Sequence, residues 1–157
     1  MNIHLLAVGN RMPAWVKAGY EEYAQRMPPH CRLILKEIAP EKRGKNVNTG
    51  DIQQREADKI MQALPAGCRI VALDGRGKIW STETLAERLK DWMMQGPDVA
   101  LIIGGPDGLT QALIKRVDEH WSLSNLTFPH PMVRVIVAEQ LYRAYTITEN
   151  HPYHRAG

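Results

Sequence analysis

The stretch DVALIIGGPDG, Asp98 to Gly108, decides how the chain is read. Its first half, Asp98 to Ile103, is almost continuously apolar. A strand with no polar face is covered on both sides, as central strands of parallel sheets are. The second half is a glycine-rich turn. In open α/β sheets ligands bind beyond the carboxyl ends of the strands, and glycine lets a ligand approach the backbone closely. The turn is not a dinucleotide fingerprint, because Gly104, Gly105 and Gly108 do not fit G-x-G-x-x-G. Nor is it a P-loop, since no Lys-Ser/Thr follows. A tight turn that needs positive φ explains the same glycines without a ligand.

Outward from this stretch, strands and helices alternate. Ile3–Val8 reads as a buried strand. Residues 13–27 read as a helix with Pro13 in its first turn and its aromatics in the core. Val16, Tyr20, Tyr23 and Met27 share one face. Cys31–Ile38 alternates as a second strand, and 39–50 is a loop by its Pro, Gly and Asn content. A helix opens at Asp51, its expected cap, and runs to Leu64. Cys68–Asp74 is a third strand. A helix to Gln95 follows, with Ser81 as cap candidate, or with Thr84 and Glu87 as a capping box if it starts later. After the central strand come a short helix, Leu109–Val117, and a fifth strand or extended segment, Trp121–Phe128. The last helix is Pro131–Ile147. The pattern predicts a single α/β domain, 1–157, with a mostly parallel sheet flanked by helices.

Bulk properties fit that reading. The chain has 157 residues, 44% apolar and 24% charged, ordinary values for one globular domain with a real core. No apolar run is long enough to span a bilayer. The start, MNIHLLAVGN, lacks a basic n-region and a small-residue cleavage site, so a cytoplasmic protein with no membrane contact is expected. Cys31 and Cys68 read as reduced thiols. Net charge is +3, which permits an anionic partner without demanding one. Basic residues concentrate in EKRGKN, Glu41 to Asn46, and in the C-terminal tail. The first is either an RNA contact or a solvated loop.

Three further features carry candidate chemistry. SLSNLTFPHP, Ser122 to Pro131, mixes hydroxyl and amide groups with apolar positions. It suits a slot for a flat polar heterocycle, and equally a capped entry to the last helix. That helix has two apolar stripes: Val133, Ile136, Val137, Leu141 and Ala144, then Met132, Val135, Tyr142 and Tyr145. It is either sandwiched inside the fold or shared with a second subunit; a dimer is the expectation. The tail NHPYHR holds His151, Tyr153, His154 and Arg155. One histidine suits a base near neutral pH. Tyr153 suits stacking on a nucleobase, and Arg155 suits phosphate. His151, His154 and His130 do not complete a ligand set, so no metal is expected. Glu139 and Arg143 are spaced as an intrahelical ion pair; alternatively, Arg134 and Arg143 face a bound RNA.

LIIGGPDGL, LSNLTFPHPMVRVIVAEQLYRAY and NHPYHR, in this order, closely resemble the bacterial large-subunit rRNA pseudouridine N3-methyltransferases of the SPOUT class. AVGNRMPAWV and KRGKN extend the resemblance to nearly the whole chain. The resemblance implies an α/β fold with a C-terminal trefoil knot that forms an S-adenosylmethionine site. It also implies a homodimer that acts on ribosomal RNA in the assembled ribosome. Cofactor contacts carry over onto Leu73, the Gly104–Gly105 turn, and Leu123, Ser124, Asn125, Leu126, Thr127 and Phe128. Within that reading His154 is the expected base or hydrogen-bond partner, Tyr153 positions the target ring, and Arg155 or Arg143 holds phosphate or the imide anion. Methylation of another RNA, or a non-catalytic role on the ribosome, are the alternatives.

Overall fold

Strands and helices do alternate in the structure, a computed structural model that describes residues 1–156 and side chains through Arg155. In order they are β1 (Ile3–Val8), α1 (Ala14–Ala24), β2 (Leu33–Ile38), α2 (Thr49–Ala63), β3 (Arg69–Ile79), α3 (Thr82–Gln95), β4 (Val99–Ile103), α4 (Gln111–Ile114), β5 (Glu119–Ser122) and α5 (His130–Thr148). A short 3-10 turn, Pro152–Ala156, follows. The five strands form one sheet in the order β2-β1-β4-β3-β5. Every pairing is parallel. β4 is central and buried at every position, as its apolar run requires. Parallel pairing brings Val8, Ile38, Leu73, Ile103 and Ser122 to one edge, so the loops after all five strands share it.

Alternation along each strand divides the core into two layers. On one face, Leu5, Ala7, Val71, Leu101 and Ile103 pack with Tyr20 of α1, Leu89 and Trp92 of α3, and Val137 and Leu141 of α5. On the other face, Leu6, Val8, Ala72 and Ile102 pack with Ala57 and Ile60 of α2 and Leu113 of α4.

Several local expectations are corrected. α2 opens at Thr49, and its cap is Asn48, whose side chain accepts from Gly50 N at 2.7 Å. Asp51 instead lies in the first turn, where a carboxylate complements the helix N-terminus. Ser81 does cap α3, accepting from Thr84 N at 3.0 Å. The strand expected to end at Asp74 continues to Ile79. Its pairing with β5 jumps from Leu73 to Lys78, both opposite Trp121, so residues 74–77 bulge out. Of the expected Trp121–Phe128 strand only Trp121 and Ser122 are in β5. The remainder is loop. The aromatics of α1 divide: Tyr20 is buried, while Trp15 is 57% exposed.

α5 is sandwiched. It packs on both α1 and α3, and Val135 of the second stripe lies against Gly19, where an added Cβ would sit 3.2 Å from Val135 Cγ1. Arg134 does not face outward. It is 1% exposed. Its Nη1 donates to Glu37 Oε2 at 2.7 Å and its Nη2 to the Gly9 carbonyl at 2.9 Å. The reading of Arg134 as an RNA contact is therefore wrong, because a buried guanidinium must be spent on internal partners.

Candidate active site

The carboxyl edge of β3 and β5 holds a cavity of about 300 Å³. Leu73, Asp74 and Gly75 form one wall. The loop Ser122–Phe128 forms the other, and Val133 of α5 closes it. Sequence and fold both explain this shape. The bulge at 74–77 lifts the β3 backbone away from β5, as bulges beside active sites commonly do. Leu123, Leu126 and Phe128 bring apolar surface. Ser122 Oγ donates to the Ser124 carbonyl at 3.1 Å, and Ser124 Oγ accepts from Leu126 N at 2.9 Å. These bonds fold the loop back on itself, leaving it outside the β-ladder.

Every residue from Leu123 to Phe128, and Leu73, thus lines the cavity. Gly104 and Gly105 do not line it. They sit next door, since Ile103 pairs with Leu73. Their turn is closed by a bridge between Gly105 and Gly108. Only Gly108, at φ +79°, has the left-handed conformation expected of the turn. Gly104 is required for space: a Cβ there would lie 2.8 Å from the Gly108 carbonyl carbon.

The sequence reading missed Asp74. Its carboxylate accepts from Arg76 Nε at 2.8 Å and Nη2 at 2.9 Å, and lies 3.3 Å from His120 Nε2. The Arg76 guanidinium holds the Asp74 carboxyl down at about 2. Arg76 Nη2 also donates to the Leu109 carbonyl at 3.1 Å, which ties the bulge to the segment after β4. The signal available in advance was LDGR, a carboxylate at the carboxyl end of a strand.

The tail is folded onto the C-terminal half of α5. Tyr153 OH donates to Glu139 Oε2 at 2.7 Å. Arg143 makes the expected i,i+4 pair with Glu139 at 2.8 Å, and its guanidinium also lies 5.0 Å from the centre of the Tyr153 ring. Burial, reinforced by Glu139, pushes the Tyr153 hydroxyl well above its ordinary value, so it remains a donor. His154 lines a second hollow with Gln140, Arg143, Ile147, Thr82 and Glu83, and its Nδ1 is buried with no protein partner. Arg155 is exposed. His130 lies at the opposite end of α5, beside Arg134 and Gly9. Burial and the Arg134 charge hold it below its ordinary pKa. The helix thus keeps His130 apart from His151 and His154.

A parallel α/β sheet with a cavity at its carboxyl edge places the chain in the class of α/β proteins that bind small ligands beyond their strand ends, and its glycine turn matches neither the dinucleotide fingerprint nor the P-loop. Residues 1–154 match the family described as "Predicted SPOUT methyltransferase", and the chain belongs to that family of methyltransferases. Among its relatives is the "Ribosomal RNA large subunit methyltransferase H" of Thioalkalivibrio sulfidiphilus, 56% identical over 99% of both chains. The Methylococcus capsulatus protein of the same name is 55% identical over 99% of this chain and 100% of its own. Solved structures share the fold at low identity. A methylase family protein from Neisseria gonorrhoeae superposes with a TM-score of 0.56 at 16% identity, over 90% of this chain and 81% of that one. A methyltransferase from Legionella pneumophila, in complex with S-adenosylmethionine, gives 0.50 at 13% identity, over 92% and 66%. Among the described residues no helix is long and apolar enough to cross a membrane.

Proposed function

We propose that this chain methylates N3 of a pseudouridine in large-subunit ribosomal RNA, in the cytoplasm, as a homodimer acting on the assembled ribosome. The cavity between Leu73–Gly75 and Ser122–Phe128 carries the reading. Its size and its mixture of apolar and polar walls suit S-adenosylmethionine, and the Gly104–Gly105 turn borders it. The names of the full-length relatives support ribosomal RNA as the acceptor. The knotted path of the family belongs to the same reading.

When bound, S-adenosylmethionine supplies a methyl group on a sulfonium, already a strong electrophile. The protein has to hold the acceptor in line and remove one proton. N3 of pseudouridine is an imide N–H, nucleophilic once that proton leaves. His154 is the base. Tyr153, locked to Glu139 and Arg143, fixes the tail on α5 and offers its ring as a surface for the target. Arg155 holds phosphate or the imide anion, with Arg143 beside it.

Geometry supports the dimer. Val133 in the cavity wall and Arg143 beside the tail are ten positions apart on α5, about 15 Å along the axis. A base works within hydrogen-bond reach. In the proposed dimer one protomer's tail serves the other's cavity, and a twofold axis generates two such sites. Exposed Trp15 and Met132, on α1 and α5, offer apolar surface to that interface.

The test is methyl transfer from labelled S-adenosylmethionine to whole ribosomes, large subunits and naked rRNA from cells lacking the protein. Label in a single pseudouridine of assembled ribosomes is expected. Label only in another RNA would replace the substrate, and no cofactor binding would remove the reaction.

A further inference from the structure

The basic loop between β2 and α2 has no part in the site described above, yet it is held in place at several points. Glu41 N donates to Glu56 Oε2 at 3.1 Å, and Glu56 is only 4% exposed. Lys59 Nζ reaches Glu41 Oε1 at 3.1 Å and the Ala39 carbonyl at 3.0 Å. Arg43 pairs with Asp107, and the Gln53 side-chain amide donates to the Asp107 carbonyl. The loop is thereby tied to the turn after β4. Lys42 and Lys45 are exposed and have no carboxylate partner among the described residues.

A merely solvated loop needs no such anchoring. Here two uncompensated ammonium groups are presented on a loop anchored through Glu41 and Arg43 at the carboxyl edge of the sheet. β2 and β3 are separated by three strand spacings. The loop thus leaves the same edge of the sheet as the cavity, from a strand about 15 Å away. Preorganised cations lose less conformational entropy on binding. Ammonium groups are point charges that fix position on a phosphate backbone without reading sequence.

We propose that Lys42 and Lys45, on a loop pinned by Glu56, Lys59 and Asp107, form an RNA-phosphate grip beside the target nucleotide. The proposal rests on the rRNA reading, which gives the phosphates their identity. It also explains how a chain of net charge +3 concentrates attraction where it is needed.

The experiment uses the full chain with the double variant Lys42→Gln/Lys45→Gln. Cofactor affinity is measured by calorimetry, kcat/KM on ribosomes lacking the modification from 50 to 200 mM salt, and binding to large subunits and to naked rRNA by sedimentation. Expected results are unchanged cofactor affinity, kcat/KM reduced by about tenfold, and a salt slope shallower by about 1.5 as two phosphate contacts vanish. Wild-type kcat/KM and slope in the variant would overturn the grip. So would weakened binding to subunits with unchanged binding to naked rRNA, which would mark a protein contact. If the wild-type chain binds ribosomes through these lysines but transfers no methyl group, the grip stands and the proposed reaction fails.

Discussion

Arg134 and Arg143 share one helix and serve different ends. Arg134 is sealed between Glu37 and the Gly9 carbonyl, joining α5 to the ends of β1 and β2. Arg143 stands at the surface end, paired with Glu139 and packed on Tyr153. What remains unpaired nearby is His154 Nδ1. His154→Ala is expected to abolish most methyl transfer on ribosomes while cofactor affinity, read by calorimetry, stays at the wild-type value. Undiminished turnover would remove the base assignment. Asp74 offers a separate test. Arg76 holds its folded pKa at about 2, below the ordinary 3.8. Its contribution to stability is therefore complete above about pH 4 and lost as pH falls towards 2. In urea unfolding across that range, Asp74→Asn should lose stability less steeply than the wild-type chain; identical slopes would show that the Asp74 interactions contribute nothing to folding.

At the scale of elements, the walls of the cavity depend on glycines that leave room. Gly77 lies in the β3 bulge, where an added Cβ would come within 2.7 Å of the His120 carbonyl and the Trp121 carbonyl carbon. Those atoms are backbone and cannot swing aside. Gly77→Ala should destabilise the fold by about 1–3 kcal/mol and loosen the register of β3 on β5. Gly104→Ala meets the Gly108 backbone at 2.8 Å. That turn abuts the cavity wall, so under the proposed function the variant should show both a lower Tm and a smaller thermal shift on adding S-adenosylmethionine. A wild-type shift would place the turn outside the cofactor's reach.

The whole molecule is tested by mixing subunits. Pairing a His154→Ala chain with a chain whose cavity is filled by Gly75→Trp leaves one cavity facing one intact tail if the site is composite. Heterodimers should then recover about half the turnover of the wild-type dimer, although each parent homodimer is inactive. Inactive heterodimers would mean that tail and cavity act within one chain. On the same scale lies the question of what could be known in advance. Local patterns sufficed for β4, for the alternation that builds a parallel sheet, for the Ser81 cap and for the Glu139–Arg143 pair, because each depends on residues close together in the chain. The loop Leu123–Phe128 was legible through its resemblance to a family. The bulge that extends β3 was not, since it exists only where β5 pairs on both sides of it. Nor was the burial of Arg134, whose partners lie more than ninety residues away in sequence, or the clasp of Asp74 by Arg76 and His120. Sequence alone determined the order in which strands and helices alternate, through periodicity and apolar content. Tertiary structure alone decided which polar groups are spent holding the fold and which are left free for chemistry, because that depends on partners only the folded chain brings within hydrogen-bond reach.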